Sequence, residues 1–185
     1  LLQLISSSIS GRVTYESQKE KNLSTLSLDD LLHPKSEKLF DELVERFALS
    51  SPLSGVQPKV LAKVENKATL KLEQYIVKSW GEDYKELALN EYYCMKIVQY
   101  ANIATPEFYL SDDEKLFIMK RFDILDDGST LGFEDMCVLQ AKQREDKYEG
   151  SYEQIAKTIH TFVSNKNKKT ALINFFKMIV INNIL

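Results

Sequence analysis

The spacing of apolar positions changes several times along the chain, and each change marks a different element. Apolar residues recur at every third or fourth position over residues 35–49, which predicts an amphipathic helix. Apolar and polar residues alternate over 60–65, and strand-forming residues continue over 69–73 and 75–78, which predicts an antiparallel meander. Between helix and meander lies SSPLSGVQPK (50–59), whose serines, prolines and glycine predict a loop.

Further elements are predicted on both sides of this meander. SLDDLL (27–32) places two aspartates after a serine, which is typical of a short capped helix. A long helix over 85–101 is followed by strands over 107–110 and 115–122. NKNKK (165–169) is expected to be a solvated loop. Only helices are predicted in the last part of the chain, over 133–141, 152–163 and 170–185. This order predicts an α+β fold in which a small mixed lobe leads into a helical lobe.

Composition and charge exclude some classes of protein. The 185 residues are 44% hydrophobic and 28% charged, which is ordinary for a folded globular protein. The net charge of −3 does not favour nonspecific nucleic-acid binding, which requires a basic excess. No apolar run reaches the roughly 18 residues of a membrane span, and no signal peptide opens the sequence. A cytoplasmic protein without membrane contact is therefore expected.

The cysteines and histidines do not predict a metal site. Cys94 and Cys137 form no close pair, so two thiols in a reducing compartment are expected, with a structural disulfide as the alternative. His33 and His160 lie far apart in the sequence, without nearby residues at the spacing of metal ligands. We therefore assign no metal ligands.

Four features could carry chemistry, and each also has a purely structural interpretation. The glycine in the 50–59 loop would let backbone N–H groups approach phosphate oxygens, or the loop could simply connect two elements. Lys78 ends an uncharged strand and could reach into a cleft, or be a solvated charge. Glu91 borders the apolar face of the long helix and could pair with a strand lysine, or lie at the surface. MKRFD (119–123) could be a hinge between lobes or a strand end.

Read in order, these features resemble one known family. The stretches are SGVQPK, YIVK, LNEYYCMKIVQYANIATPEFYL, MKRFD, FEDMC and DKYEGSYEQI. They resemble the HipA-like serine/threonine kinases, which are toxins of bacterial toxin–antitoxin systems, from about residue 50 to the chain end. The resemblance implies a protein-kinase-like two-lobed fold with a β-rich N-lobe and the first helices of an α-helical C-lobe. It divides the chain into an N-terminal segment (1–49), the N-lobe (50–123) and the start of the C-lobe (124–185).

The resemblance also implies the residues of an ATP site. The glycine-rich loop over the ATP phosphates matches Ser54, Gly55, Val56, Gln57 and Lys59. Lys78 matches the lysine that contacts the phosphates, and Glu91 matches the glutamate near it. The adenine-binding hinge and the aspartate after it match Met119, Lys120, Phe122 and Asp123. The implied cofactors are ATP and Mg²⁺.

A serine of the glycine-rich loop is autophosphorylated in this family, which expels the loop and silences the kinase. Family loops often read Ser-x-Ser-Gly, but Pro52 occupies the earlier serine position in this sequence. The predicted phosphorylation site is therefore Ser54, with Ser51 as the second candidate.

Two further departures concern the ends of the sequence. Only 53 residues precede Ser54, far fewer than the roughly hundred residues of an N-terminal subdomain in longer members. This suggests the short, split form, HipT-like in a three-component HipBST system. The family's Asp-x-His-x-x-Asn catalytic loop is absent, and its aspartate is expected about four residues past Leu185, with the Mg²⁺-binding aspartate further on. No catalytic residue is therefore assigned within the chain, which we expect to be truncated and inactive alone.

The resemblance finally implies partners. These are a HipB-like helix-turn-helix antitoxin, a small HipS-like protein supplying the missing subdomain, and a protein substrate, by analogy an aminoacyl-tRNA synthetase. DNA would be contacted only through the antitoxin. The alternative function is a non-catalytic fragment or pseudokinase that acts as a nucleotide- or partner-binding module.

Overall fold

A computed structural model describes residues 26–47, 59–66, 71–79, 85–125 and 127–184. The chain divides into two compact units. The first comprises Leu1–Met95 and Thr105–Leu131, and the second comprises Lys96–Ala104 and Gly132–Leu185. The predicted boundaries at residues 49 and 123 remain predictions.

The first unit contains a sheet to which five strands of the described residues contribute. The strands are β1 (Leu26–Ser27), β2 (Lys59–Asn66), β3 (Lys71–Lys78), β4 (Phe108–Leu110) and β5 (Phe117–Lys120). Their order is β1-β2-β3-β5-β4, with β1 parallel to β2 and all other neighbours antiparallel. The predicted meander is confirmed, although β3 is one continuous strand through Gln74. The two-residue strand β1 was not predicted, because a segment so short carries no periodicity.

Six α-helices lie in the described part of the chain. They are α1 (Leu28–Leu32), α2 (Leu39–Phe47), α3 (Leu87–Tyr100), α4 (Met136–Leu139), α5 (Tyr152–Phe162) and α6 (Asn165–Ile184), with a 3₁₀ turn at Arg144–Asp146. The α+β prediction is confirmed. The helix predicted over 133–141 is present only as the single turn α4. None of the helices in the described ranges is long and apolar enough to cross a membrane.

The prediction of a loop at residues 165–169 is wrong, because these residues form the start of α6. The Asn167 and Lys168 amides both donate to the carbonyl of Ser164, which begins the helix. The Lys168 ammonium donates to the Asn165 side chain at 3.0 Å, on the same helical turn. Lysine has a good intrinsic helix propensity, so a charged run of this composition can extend a helix as easily as interrupt it.

One face of the sheet packs against α1 and α2. Its buried residues are Leu26, Leu31, Leu43, Val60, Ala62, Val64, Tyr75, Val77, Leu116 and Ile118. The Ser27 hydroxyl accepts the Asp30 amide while the Asp30 carboxylate accepts the Ser27 amide, so the predicted capped helix is confirmed. Leu31 of that helix is fully buried in the core.

The other face of the sheet packs against α3. Ala88 of α3 is buried with Phe108 and Phe117, and Tyr92, Met95, Leu110 and Met119 pack around them. The ring of Tyr92 meets the ring of Phe108 edge-on, with centroids 5.6 Å apart. The sheet is thus covered on both faces, and α3 lies on the face opposite to α1.

Replacing Leu31 by alanine tests whether α1 is an integral part of this core. We expect Leu31→Ala to lower the free energy of unfolding in urea by about 2–5 kcal/mol, because the fully buried side chain would leave a cavity. Leu72→Ala is the matched control, because Leu72 is 65% exposed, and it should change stability by no more than about 0.5 kcal/mol. Equal effects of the two substitutions would contradict the packing of α1 on the sheet.

Candidate functional site

The lysine that ends β3 forms an ion pair with the glutamate of α3. The ammonium of Lys78 donates to the carboxylate of Glu91, and the side chains are 20% and 25% exposed. The structure therefore brings together two residues that are 13 positions apart and were singled out separately in the sequence. Because the pair is largely removed from water, each charge depends on its partner more than it would at an exposed surface.

Strand register decides what surrounds Lys78. Its Cα lies opposite Lys59 of β2 and opposite Phe117 of β5. Directly opposed residues share a face, so the side chains of these three residues start from the same face of the sheet. The Lys78 ammonium lies 5.6 Å from the centroid of the Phe117 ring. The site thus combines a cation, a carboxylate and an aromatic wall at one end of β3.

The predicted loop residues are only partly described. Lys59 opens β2 and is partly buried. The other loop and phosphorylation candidates, Ser51, Ser54, Gly55, Val56 and Gln57, lie outside the described residues. The described site therefore includes the end of the predicted loop, at Lys59, and not its glycine.

The predicted hinge residues divide between the two faces of the sheet. Met119 lies opposite Ile76 and packs in the cluster under α3, on the Lys78 face. Lys120 lies opposite Tyr75, and its ammonium pairs with Glu73 at 3.0 Å on the face of α1. The Lys120 amide donates to the Glu107 carbonyl at 2.9 Å. The side chain of Lys120 is consequently on the face opposite to Lys78, whereas Phe122 is 50% exposed.

Asp123 is engaged by Arg121. The guanidinium donates from Nε to one Asp123 oxygen at 2.9 Å and from Nη2 to the other oxygen. Both side chains are buried, at 6% and 4% exposure. Hydrogen bonds from Arg121 lower the pKa of Asp123 against the opposing effect of burial, so the carboxylate stays ionised. Arg121 also donates from Nη1 to the Gln74 side chain at 2.7 Å and from its amide to the Gln74 carbonyl at 2.9 Å.

A cleft of about 420 Å³ lies on the α1 face of the sheet. Its lining includes Glu73, Tyr75 and Lys120. Burial would raise the pKa of Glu73, but hydrogen bonds from Lys120 and Tyr75 outweigh burial and lower it. Burial and the bond to Glu73 raise the pKa of Tyr75. The Glu73–Lys120 pair is therefore ionised within a network that keeps the Tyr75 phenol protonated.

Sequence reasoning did not identify Arg121, Gln74 or Glu73. Arg121 lies inside MKRFD, and a cation two residues from an aspartate at the end of an apolar strand was a usable signal. Gln74 lies between the two predicted strand segments, 69–73 and 75–78, and belongs to neither of them. Only the pairing of β3 with β5 shows that Glu73 and Gln74 lie beside the hinge.

No metal centre is formed by the described residues. Within those ranges, no group of three or more His, Cys, Asp or Glu side chains could hold a metal ion. His33 contacts Asp112 at 2.5 Å, which ties the end of α1 to the turn between β4 and β5. Cys94 and Cys137 are free thiols, partly buried, so the disulfide alternative is not realised.

Replacing Asp123 by asparagine should destabilise the chain in a pH-dependent way. At neutral pH we expect a loss of about 2–4 kcal/mol in the free energy of unfolding, because the buried Arg121 would lose its counterion. The folded-state pKa of Asp123 is lowered, so the stabilisation is present above the ordinary aspartate pKa of about 3.9 and is lost as the pH falls through the folded value.

Urea unfolding of both proteins between about pH 7 and pH 3 measures this difference across the ordinary aspartate pKa. The difference should be constant at the upper end and should shrink below about pH 4. Asp41→Asn in the exposed first turn of α2 is the control and should cost less than about 1 kcal/mol. A difference that is unchanged at the lowest pH would contradict the lowered pKa.

The comparison with known families agrees with the resemblance in the sequence motifs. The HipA-like C-terminal domain matches residues 51–185. No curated protein matches the chain. Members of the matched family are kinases, and at the family level the match indicates a HipA-family toxin kinase. Because the match covers well over half of the 185 residues, the chain belongs to the HipA-like family.

Proposed function

We propose that this chain carries the ATP-binding part of a serine/threonine protein kinase toxin of a bacterial toxin–antitoxin system, with a kinase-like two-lobed fold. The observation that carries the proposal is the Lys78–Glu91 pair, which joins the end of a central strand to the helix on the same face. This is the arrangement in which a kinase holds its phosphate-binding lysine. Family membership supports the same assignment.

The chemistry of the Lys78 site fits a triphosphate. An ammonium group has three N–H donors, so pairing with Glu91 leaves donors that can be directed at phosphate oxygens. Lys59 lies opposite Lys78 and follows the proposed glycine-rich loop, so a second cation starts from the same strand end. Bound ATP would supply the phosphoryl group that is transferred. Glu91 would hold Lys78 at the phosphates, and the backbone of residues 119–122 would contact adenine.

The Mg²⁺ chemistry is not assigned to the described residues, because they contain no group of side chains suited to a metal. We propose from the family pattern that the kinase also needs a catalytic aspartate and a Mg²⁺-binding aspartate, neither of which is assigned among these 185 residues. Phosphoryl transfer depends on metal ions and an aspartate that positions the hydroxyl nucleophile. The proposal for these 185 residues is therefore limited to nucleotide binding.

The proposed substrate and partners follow from the family alone. We propose that the kinase phosphorylates a serine or threonine of an aminoacyl-tRNA synthetase and so arrests growth, which would place it in the cytoplasm. A HipB-like DNA-binding antitoxin and a small HipS-like protein are the proposed partners. By analogy with the family, we propose the HipT-like split form of a HipBST system.

Replacing Lys78 tests the phosphate contact. We expect Lys78→Ala to weaken ATP binding by about 10- to 100-fold, the cost of losing a charged hydrogen-bond donor. Titration calorimetry or NMR titration with ATP measures this affinity, and circular dichroism verifies the fold. Lys63→Ala is the matched control, because Lys63 starts from the same face of β2 but lies opposite Gln74, four residues from Lys78.

Equal ATP affinity of wild type and Lys78→Ala would remove Lys78 from the site. In bacteria, the same substitution in the protein that includes the expected catalytic loop should abolish both toxicity and loop phosphorylation. If that protein binds ATP through Lys78 but transfers no phosphate, the non-catalytic nucleotide-binding alternative is correct.

The autophosphorylation site is the second test of the kinase assignment. We expect mass spectrometry of the protein with its catalytic loop, after incubation with ATP and Mg²⁺, to place phosphate on Ser54. Ser54→Ala should remove that modification or move it to Ser51. Phosphate found only on Ser6–Ser8 or Ser27 would reject a silencing role for the loop.

A further inference from the structure

The last residue of β5 and the residue that follows it are tied to β3 on opposite faces of the sheet. On the α1 face, Lys120 pairs with Glu73 at 3.0 Å. On the α3 face, Arg121 donates from Nη1 to the Gln74 side chain at 2.7 Å. Between these contacts, the Arg121 amide donates to the Gln74 carbonyl at 2.9 Å. Two consecutive residues of one segment are thus bound to two consecutive residues of β3.

Asp123 controls the direction of the Arg121 side chain. It accepts Nε and Nη2 through its two oxygens, which is the two-pronged geometry of a guanidinium with a carboxylate. A planar guanidinium held along one edge can present its remaining nitrogen, Nη1, in one direction only, toward Gln74. Both partners are buried, so water does not compete for these donors. Asp123 therefore acts on Gln74 through Arg121.

We propose that these five residues, which we call the β3 clamp (Glu73, Gln74, Lys120, Arg121 and Asp123), set the spacing between the adenine-binding segment and the phosphate-binding Lys78. This inference rests on the proposed function, since it assumes that ATP spans from residues 119–122 to Lys78. Strand β3 is the physical link: Gln74 and Lys78 lie in the same strand, about 13 Å apart at the rise of an extended chain. The side chains of the clamp act by positioning these elements and need not touch ATP themselves.

Such a clamp would matter because ATP would contact the chain at two points, at its adenine and at its phosphates. When both points are held at the correct spacing, binding one half of ATP brings the other half to its partner at a high effective concentration. If the hinge can shift along β3, the adenine and the phosphates each still reach their own contacts. Binding of one half then no longer positions the other half, so the affinity for whole ATP falls. Adenosine and inorganic tripolyphosphate each represent one half of ATP, so the two effects can be separated.

The test is a set of NMR titrations of the 185-residue chain with ATP, adenosine and tripolyphosphate. Gln74→Leu removes the side-chain acceptor of Arg121 Nη1 and leaves the Arg121–Asp123 pair in place. We expect this variant to bind ATP about fivefold or more weakly, while adenosine and tripolyphosphate each bind within about twofold of wild type. Glu73→Gln, which weakens the contact on the other face, should act in the same direction and serves if Gln74→Leu does not fold.

A control and three outcomes decide the question. Glu65→Gln makes the same chemical change on β2, outside the clamp, and should leave all three affinities unchanged. Unchanged ATP affinity in both clamp variants would overturn the clamp. An equal loss for all three ligands would also overturn it, since that is the result of general destabilisation. Wild-type chain that binds none of the ligands would instead refute the proposed function, and the clamp with it.

Discussion

Eight consecutive residue pairs join β2 to β3, from Lys59 opposite Lys78 to Asn66 opposite Lys71. This register decides which side chains reach each face of the sheet. It places Val60, Ala62 and Val64 under α1 and α2, and it leaves Lys78 on the face of α3. A shift of one residue would exchange the two faces, burying Lys78 in the apolar core and moving Val77 to the face of α3. The core and the candidate site therefore depend on one pattern of strand pairing.

The charged pairs of the first unit have different roles. The Lys78–Glu91 pair keeps a fifth of the lysine side chain and a quarter of the glutamate side chain exposed, so it remains accessible to an anionic ligand. The Arg121–Asp123 pair is almost fully buried, and a buried ion pair contributes little net stability because both charges lose their hydration. Its contribution is geometric, since it fixes the direction of a guanidinium that joins the hinge to β3. One pair thus suits binding, and the other suits the alignment of the binding elements.

The strands and longer helices of the described chain could be predicted because their periodicity is strong. The alternation over β2 and the serine–aspartate cap of α1 both identify their elements from local chemistry. Prediction failed where local signals were weak or ambiguous. The charge of the run 165–169 predicts a loop, but lysine favours helices and the run is helical. The strand β1 could not be predicted, because its two residues are too few to show a periodicity. Only their pairing with Val64 and Glu65 makes them a strand.

For the candidate site, the sequence alone determined which residue types are available: a lysine ending an apolar strand, a glutamate on the following helix, and the order of motifs that resembles the HipA-like family. Tertiary structure decided which of them meet. The contact of Lys78 with Glu91 requires α3 to pack on a particular face, and the attachment of Arg121 to Gln74 requires β5 to pair with β3 across 47 positions of sequence. The physical reason is that periodicity and capping act within a few residues, whereas the partner of a buried charge is selected by packing between distant segments.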